Sequence, residues 1–192
     1  MIRIRSTSLG RFLIVAVVLI CAGCEEKVDL VRVFTIPAGE HYASPRIVET
    51  LQSARLEFDA MFDESAIYLH EQSGFQDSKN KLMGFSDCNS LHHKNSARFV
   101  WQWFNDRIEI YAYCYVDGVR MEEFVGIADV NRFHRYSITI EPDSYRFSMD
   151  GQHTVRINRR ASCETGIYYK LWPYFGGSVP APHTVRIHIR EH

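Results

Sequence analysis

From Leu56 onward apolar and polar residues alternate with a period of two, interrupted at regular intervals by turn residues, and this pattern predicts an antiparallel β architecture. Helical periodicity is nearly absent. The sharpest segment is Ala97 to Val116. A two-residue turn at Asn105-Asp106 pairs Phe104 with Arg107. Counting outward sets Trp103 opposite Ile108, Trp101 opposite Ile110 and Phe99 opposite Ala112. Those six side chains share one apolar face, while Arg98, Val100 and Gln102 meet Tyr113, Tyr111 and Glu109 on the other. A slip of one residue would exchange the faces, so register and hydrophobicity support each other.

Further turns fall at Asp117-Gly118, at Pro142-Asp143 between Tyr136–Ile140 and Tyr145–Met149, and at Asp150-Gly151. The chain closes on Thr184–Arg190, with Val185, Ile187 and Ile189 inward. Arg55–Met61 alternates the same way and is expected to pair with it, bringing both ends of the domain into one sheet. There is no internal repeat. Strands in this number predict an all-β fold, an antiparallel β-sandwich of the jelly-roll kind.

The start of the chain reads differently. Arg3, Arg5 and Arg11 precede a twelve-residue apolar run from Phe12 to Gly23, which is too short to span a bilayer and ends on Ala22-Gly23-Cys24. This resembles a bacterial lipoprotein signal, although Cys21 stands where leucine is usual. The resemblance implies cleavage before Cys24, lipidation of its thiol, and anchoring of the protein in the cell envelope, at the outer membrane or cell surface. Glu25 and Glu26 resemble the export tag of surface lipoproteins. The expected organisation is a signal peptide over 1–23, a lipidated tether over 24–35 running into a first strand, and one sandwich domain over 36–192.

The whole chain carries 22 Lys and Arg against 23 Asp and Glu. Loss of the three arginines of the signal leaves a formal −4, a balance that gives no general attraction to nucleic acid. The expected partners are the membrane, through the anchor, and a polysaccharide. Cys88, Cys114 and Cys163 remain after processing, which allows one disulfide and one free thiol or three buried thiols. No C-x-x-C pair suggests a redox dithiol or thiolate zinc site.

The segment Phe133–Ile140, then Tyr145–Met149, then Asp150-Gly151 resembles the central hairpin of concanavalin-like and laminin-G-like sandwiches. Gly84-Phe-Ser-Asp-Cys88, His92–Phe99, Pro173–Gly177 and Ala181-Pro-His183 resemble strings in a group of uncharacterised exported bacterial proteins, a likeness that implies no mechanism. Glucanases of the concanavalin-like fold carry a Glu-x-Asp-x-x-Glu strand, because glycoside cleavage needs two carboxyls at a set separation. That strand is missing here, and Glu122 and Glu123 are adjacent on opposite faces. Jelly-roll polysaccharide lyases are the closer enzymatic comparison. Of their Gln-x-His and Tyr-Phe-Lys-Ala-Gly strings only a faint echo stands at Tyr168-Tyr-Lys170.

Candidate chemistry therefore comes from one sheet face. Arg98, Gln102, Glu109, Tyr111 and Tyr113 are the expected ligand-binding residues, with Tyr115 continuing the stripe. Tyrosine rings stack on sugar faces while amide, guanidinium and carboxylate groups bind hydroxyls. The alternative for this face is a half-buried surface under a loop, where tyrosines are common. Asp87, His92, His93 and His183 are loop candidates. Adjacent histidines on a strand cannot share an ion, and on a loop His92 and His93 would need Asp87 or His183 as a third ligand; the expectation is of no metal and no other cofactor. The reading is a lipid-anchored glycan-binding or recognition module. Two alternatives stay open: a lyase using Arg98, Tyr111, Tyr113 and His92, and a structural envelope subunit without a small ligand.

Overall fold

A computed structural model describes residues 30–71, 74–159 and 168–192. Cys24, Cys163 and the signal stretch lie outside the described residues. Among those described, the strands are β1 (Arg32–Ile36), β2 (Thr50–Leu51), β3 (Arg55–Phe62), β4 (Asn80–Ser86), β5 (Ser96–Phe104), β6 (Arg107–Val116), β7 (Val119–Ala128), β8 (His134–Ile140), β9 (Ser144–Met149), β10 (His153–Asn158), β11 (Tyr168–Leu171) and β12 (Val185–Glu191). One 3-10 turn, Glu64–Ala66, is capped by the Asp63 carboxylate, which accepts from the Ser65 amide. The strands form two antiparallel six-stranded sheets, ordered β1-β12-β3-β8-β9-β10 and β2-β11-β4-β5-β6-β7. The fold is a jelly-roll β-sandwich.

The β5–β6 hairpin has the expected register throughout, from Phe104↔Arg107 to Arg98↔Tyr113. Asn105 and Asp106 both adopt positive φ, 51° and 57°, the conformation a primed two-residue turn requires. The turns at Asp117-Gly118 and Pro142-Asp143 likewise join β6 to β7 and β8 to β9. β12 pairs with β3, so both ends of the domain share a sheet. β1 adds to the free edge of β12 and begins at Arg32, within the stretch 24–35 expected as a tether.

The alternate side chains of both sheets meet in one aromatic core. Phe99 of β5 packs edge-on against Phe58, Tyr136 and Phe147 of the opposite sheet, with centroids 5.1–6.1 Å apart. Trp101, fully buried, lies against Phe62, Tyr68 and Phe175. With its inner face committed to this core, the β5–β6 hairpin turns Arg98, Gln102, Glu109, Tyr111 and Tyr113 to the other side, where the site is built.

Candidate ligand-binding cleft

The outer face of the β2-β11-β4-β5-β6-β7 sheet divides into two parts. Toward the Asn105-Asp106 turn its side chains satisfy one another. Glu109 accepts from Gln102 Nε2 at 2.8 Å, from Tyr111 Oη at 2.8 Å, and from Arg107 Nε and Nη2 at 2.9 and 2.7 Å. Lys79 Nζ donates to Gln102 Oε1 at 2.9 Å and sits 4.3 Å from the centre of the Tyr111 ring. Burial alone would raise the Glu109 carboxyl, but these donors outweigh it and hold the group below its ordinary range. Tyr111 is pushed up to about 12 by burial and by the neighbouring carboxylate. Gln102, Glu109 and Tyr111 are thus saturated with internal partners and line no part of the cleft beside them.

That cleft, about 610 Å³, runs across the strands at the level of Arg98. Arg98 is only 7% exposed, and its Nε is buried without a hydrogen-bond partner. Burial lowers its guanidinium to about 10, and no carboxylate pairs with it among the described residues. The approach of β4 is what makes room for it. At Gly84, beside a bulge in the β4–β5 ladder, a Cβ would stand 2.3 Å from Arg98 Cβ and 2.2 Å from the Ala97 carbonyl oxygen.

Three further groups converge on Arg98. Tyr113, 6% exposed, has its hydroxyl 3.5 Å from that of Tyr115, and burial together with this contact pushes it up to about 12. Lys81 Nζ donates to the Lys79 carbonyl at 2.8 Å and lies 5.5 Å from the Tyr113 ring centre. Burial, reinforced by Arg98 and Arg120, lowers the Lys81 ammonium to about 8. His92 and His93, with ring centres 4.2 Å apart, form a wall of the cleft. Burial first, then Arg98 and His93, lowers His92 to about 4, so its imidazole is neutral at physiological pH. Its backbone N–H donates to the Tyr169 hydroxyl at 3.0 Å.

The two other loop candidates lie elsewhere. Asp87 is fully buried and accepts from Tyr145 Oη and Arg159. His183 Nε2 donates to the Ser65 carbonyl at 2.9 Å, beside the 3-10 turn. Among the described residues no three His, Cys, Asp or Glu side chains gather as metal ligands. Cys88 is disulfide-bonded, and Cys114 is a buried free thiol of the core.

Several cleft residues carried no expectation from sequence. Arg120 was reachable, because the Asp117-Gly118 turn places it directly opposite Tyr115. Lys81, Tyr42, Trp172 and Tyr174 come from segments far apart in the chain and have no shared sequence signal.

No family model matches this chain, nor does any curated protein. Solved structures do. The alginate lyase AlyC3 is 12% identical with a TM-score of 0.59, over 86% of this chain and 75% of that one. The same lyase in complex with dimannuronate matches at a TM-score of 0.55 and 12% identity, over 83% of this chain and 72% of that one. The laminarinase catalytic domain of Thermotoga maritima MSB8 matches at 0.57 and 12% identity, covering 83% and 76% respectively. The fold is a concanavalin-like jelly roll. At these identities the likeness establishes the architecture, and the sheet face has to speak for the chemistry.

Proposed function

We propose that this protein binds an anionic polysaccharide in the Arg98 cleft, held at the cell envelope by a lipid on Cys24. The carrying observation is Arg98 itself, a nearly fully buried guanidinium with an unpartnered Nε on a solvent-connected cleft. A buried charge without a counter-ion costs free energy, and a ligand carboxylate or sulfate would supply the missing partner in bidentate geometry. Lys81 and Arg120 add positive charge on the same side. The polysaccharide-active jelly rolls of similar fold, one of them holding dimannuronate, support a glycan as the ligand class. The anchor rests on the arginines, the apolar run and Ala22-Gly23-Cys24.

The test is an array of uronate-bearing and sulfated glycans probed with wild type and Arg98→Gln. Binding confined to anionic glycans and lost in the variant is the expected result. Binding unchanged by Arg98→Gln overturns the reading. For the anchor, Cys24→Ser should leave the membrane fraction or persist as precursor, and a variant that fractionates and migrates like wild type excludes lipidation.

A second reading, β-elimination of a uronate, is favoured by the neutral His92 imidazole in the same cleft as Arg98 and the Tyr113–Tyr115 pair. Arg98 would neutralise the carboxylate and make the adjacent C–H acidic, and His92 would take that proton. A tyrosine hydroxyl would protonate the departing glycosidic oxygen as the carbon–carbon double bond forms. Ultraviolet absorbance of an unsaturated uronate product distinguishes turnover from binding.

A further inference from the structure

Exposed apolar side chains gather at one edge of the sandwich. β1 is the edge strand of its sheet, and β2 is the edge strand of the other sheet on the same side. Ser44 exchanges both backbone hydrogen bonds with Thr35 of β1, at 2.8 Å each, and the chain then crosses to Thr50 of β2. Arg32 Nη1 stands 3.8 Å from the Glu49 carboxylate, which sets the neighbouring Val48 beside the start of β1. Val48 is 97% exposed and Leu30 76%, while Val31 and Val33 each keep 39%. Phe34 and Ile36 are wholly buried, so the alternation along β1 turns Val33 outward.

The charges of this edge fall into two groups. Glu49 and Glu191 are neutralised by Arg32 and Lys170. Arg46, two residues before Val48, has no carboxylate partner among the described residues and packs on the Tyr42 ring at 4.6 Å. Apolar side chains beside an unpaired guanidinium suit a lipid headgroup layer, with carbon among the upper acyl chains and the cation on phosphate.

A second exposed group, Val119, Phe124 and Ile127 of β7, lies at the opposite edge, where β7 meets β10. The reach of the anchor decides between the two. Leu30 stands six positions after Cys24, so at most about 22 Å of chain separates the lipid from β1. A six-stranded sheet is about 24 Å across, so setting β7 on the bilayer would lift β1 beyond that reach.

We infer that the β1–β2 edge rests on a phospholipid bilayer, with Leu30, Val31, Val33 and Val48 in the headgroup layer and Arg46 on a lipid phosphate. This rests on the reading that Cys24 carries a lipid, and specifies how the domain stands on its anchor. The cleft then crosses the sheet from its membrane side, at Trp172, to Arg120 of β7 on the side facing away.

Fluorescence quenching on the full lipidated chain, in vesicles of phosphatidylethanolamine and phosphatidylglycerol, tests this. Val48→Cys and Val119→Cys each receive an environment-sensitive thiol label, and part of the lipid bears a nitroxide near the headgroup. Cys114 is buried, which leaves the substituted position as the one labelled. The label at position 48 should shift to the blue and lose most of its emission to nitroxide lipid, and the label at position 119 should lose none. Leu30→Asp combined with Val31→Asp should restore the emission at position 48 while the protein still floats with the vesicles. A label at position 48 quenched no more than that at 119, or quenched equally after the Asp substitutions, overturns the inference while the anchor stands. If mass spectrometry finds no lipid on Cys24, the anchor reading falls and this inference with it.

Discussion

Arg159 closes on Asp87 in the interior, Nε donating to Oδ2 at 2.6 Å and Nη2 to Oδ1 at 3.2 Å, across a sequence separation of 72 residues. Tyr145 Oη adds a third donor at 2.6 Å, and the Cys88 amide a fourth. Asp87 opens the loop that carries His92 and His93, and its own N–H donates to the Asn95 carbonyl where the loop returns. The wall of the cleft is therefore fastened to the far sheet through one buried carboxylate.

Removing one partner of a buried ion pair strands the other charge. Asp87→Asn should cost about 3–5 kcal/mol in chemical denaturation. Tyr145→Phe keeps the pair and should cost about 1 kcal/mol, one hydrogen bond. Equal effects of the two would show that the ion pair holds the loop no more strongly than one hydrogen bond does.

Arg98→Met carries an opposite expectation. Because Arg98 is buried with no counter-ion among the described residues, its replacement by an apolar chain of similar length should leave stability unchanged or raise it by about 0.5–2 kcal/mol, while anionic glycan binding is lost. A marked fall in melting temperature would mean that Arg98 holds the fold.

Lys81 links the site to pH. In the folded protein its ammonium falls to about 8 from the ordinary 10.5. Below pH 8 the charged form is present in both states and the folded state bears the full penalty. Between about 8 and 10.5 the unfolded chain holds a proton that the folded protein has released, so stability rises with pH across that window. Bound anion favours the charged amine, so affinity should fall as pH climbs through 8. Lys81→Met should flatten both dependences, read as the difference from wild type in denaturant midpoint and in binding.

Trp101→Ala should cost about 3–5 kcal/mol, because the side chain is wholly enclosed by Phe62, Tyr68 and Phe175. Gln102→Ala faces the other way and removes no core volume. It does take a donor from Glu109 and an acceptor from Lys79, for about 1–2 kcal/mol. A larger loss at Gln102 than at Trp101 would contradict the assignment of inner and outer faces.

The strand content, the Asn105-Asp106 turn, the register Arg98↔Tyr113 and the pairing of both chain ends are all legible in the sequence. Each depends on a two-residue period and on turn residues that tolerate positive φ, which are local properties. The same logic sets Arg98, Gln102, Glu109, Tyr111 and Tyr113 on one face.

Which of those five are free to meet a ligand was decided only in three dimensions. Arg107, on the same strand, and Lys79, from the segment before β4, saturate Glu109 and Gln102, whereas Arg98 Nε has no hydrogen-bond partner among the described residues. Gly84 looks like any strand glycine until the ladder brings β4 against the Arg98 stem. Asp87 reads as a loop carboxylate and becomes a buried anchor because the start of β9 and the end of β10 lie beside it. Periodicity along a chain fixes the direction in which a side chain points. What it points at depends on segments distant in sequence, and the aromatic half of the cleft, assembled from Tyr42, Trp172 and Tyr174, exists only once the sheets have closed.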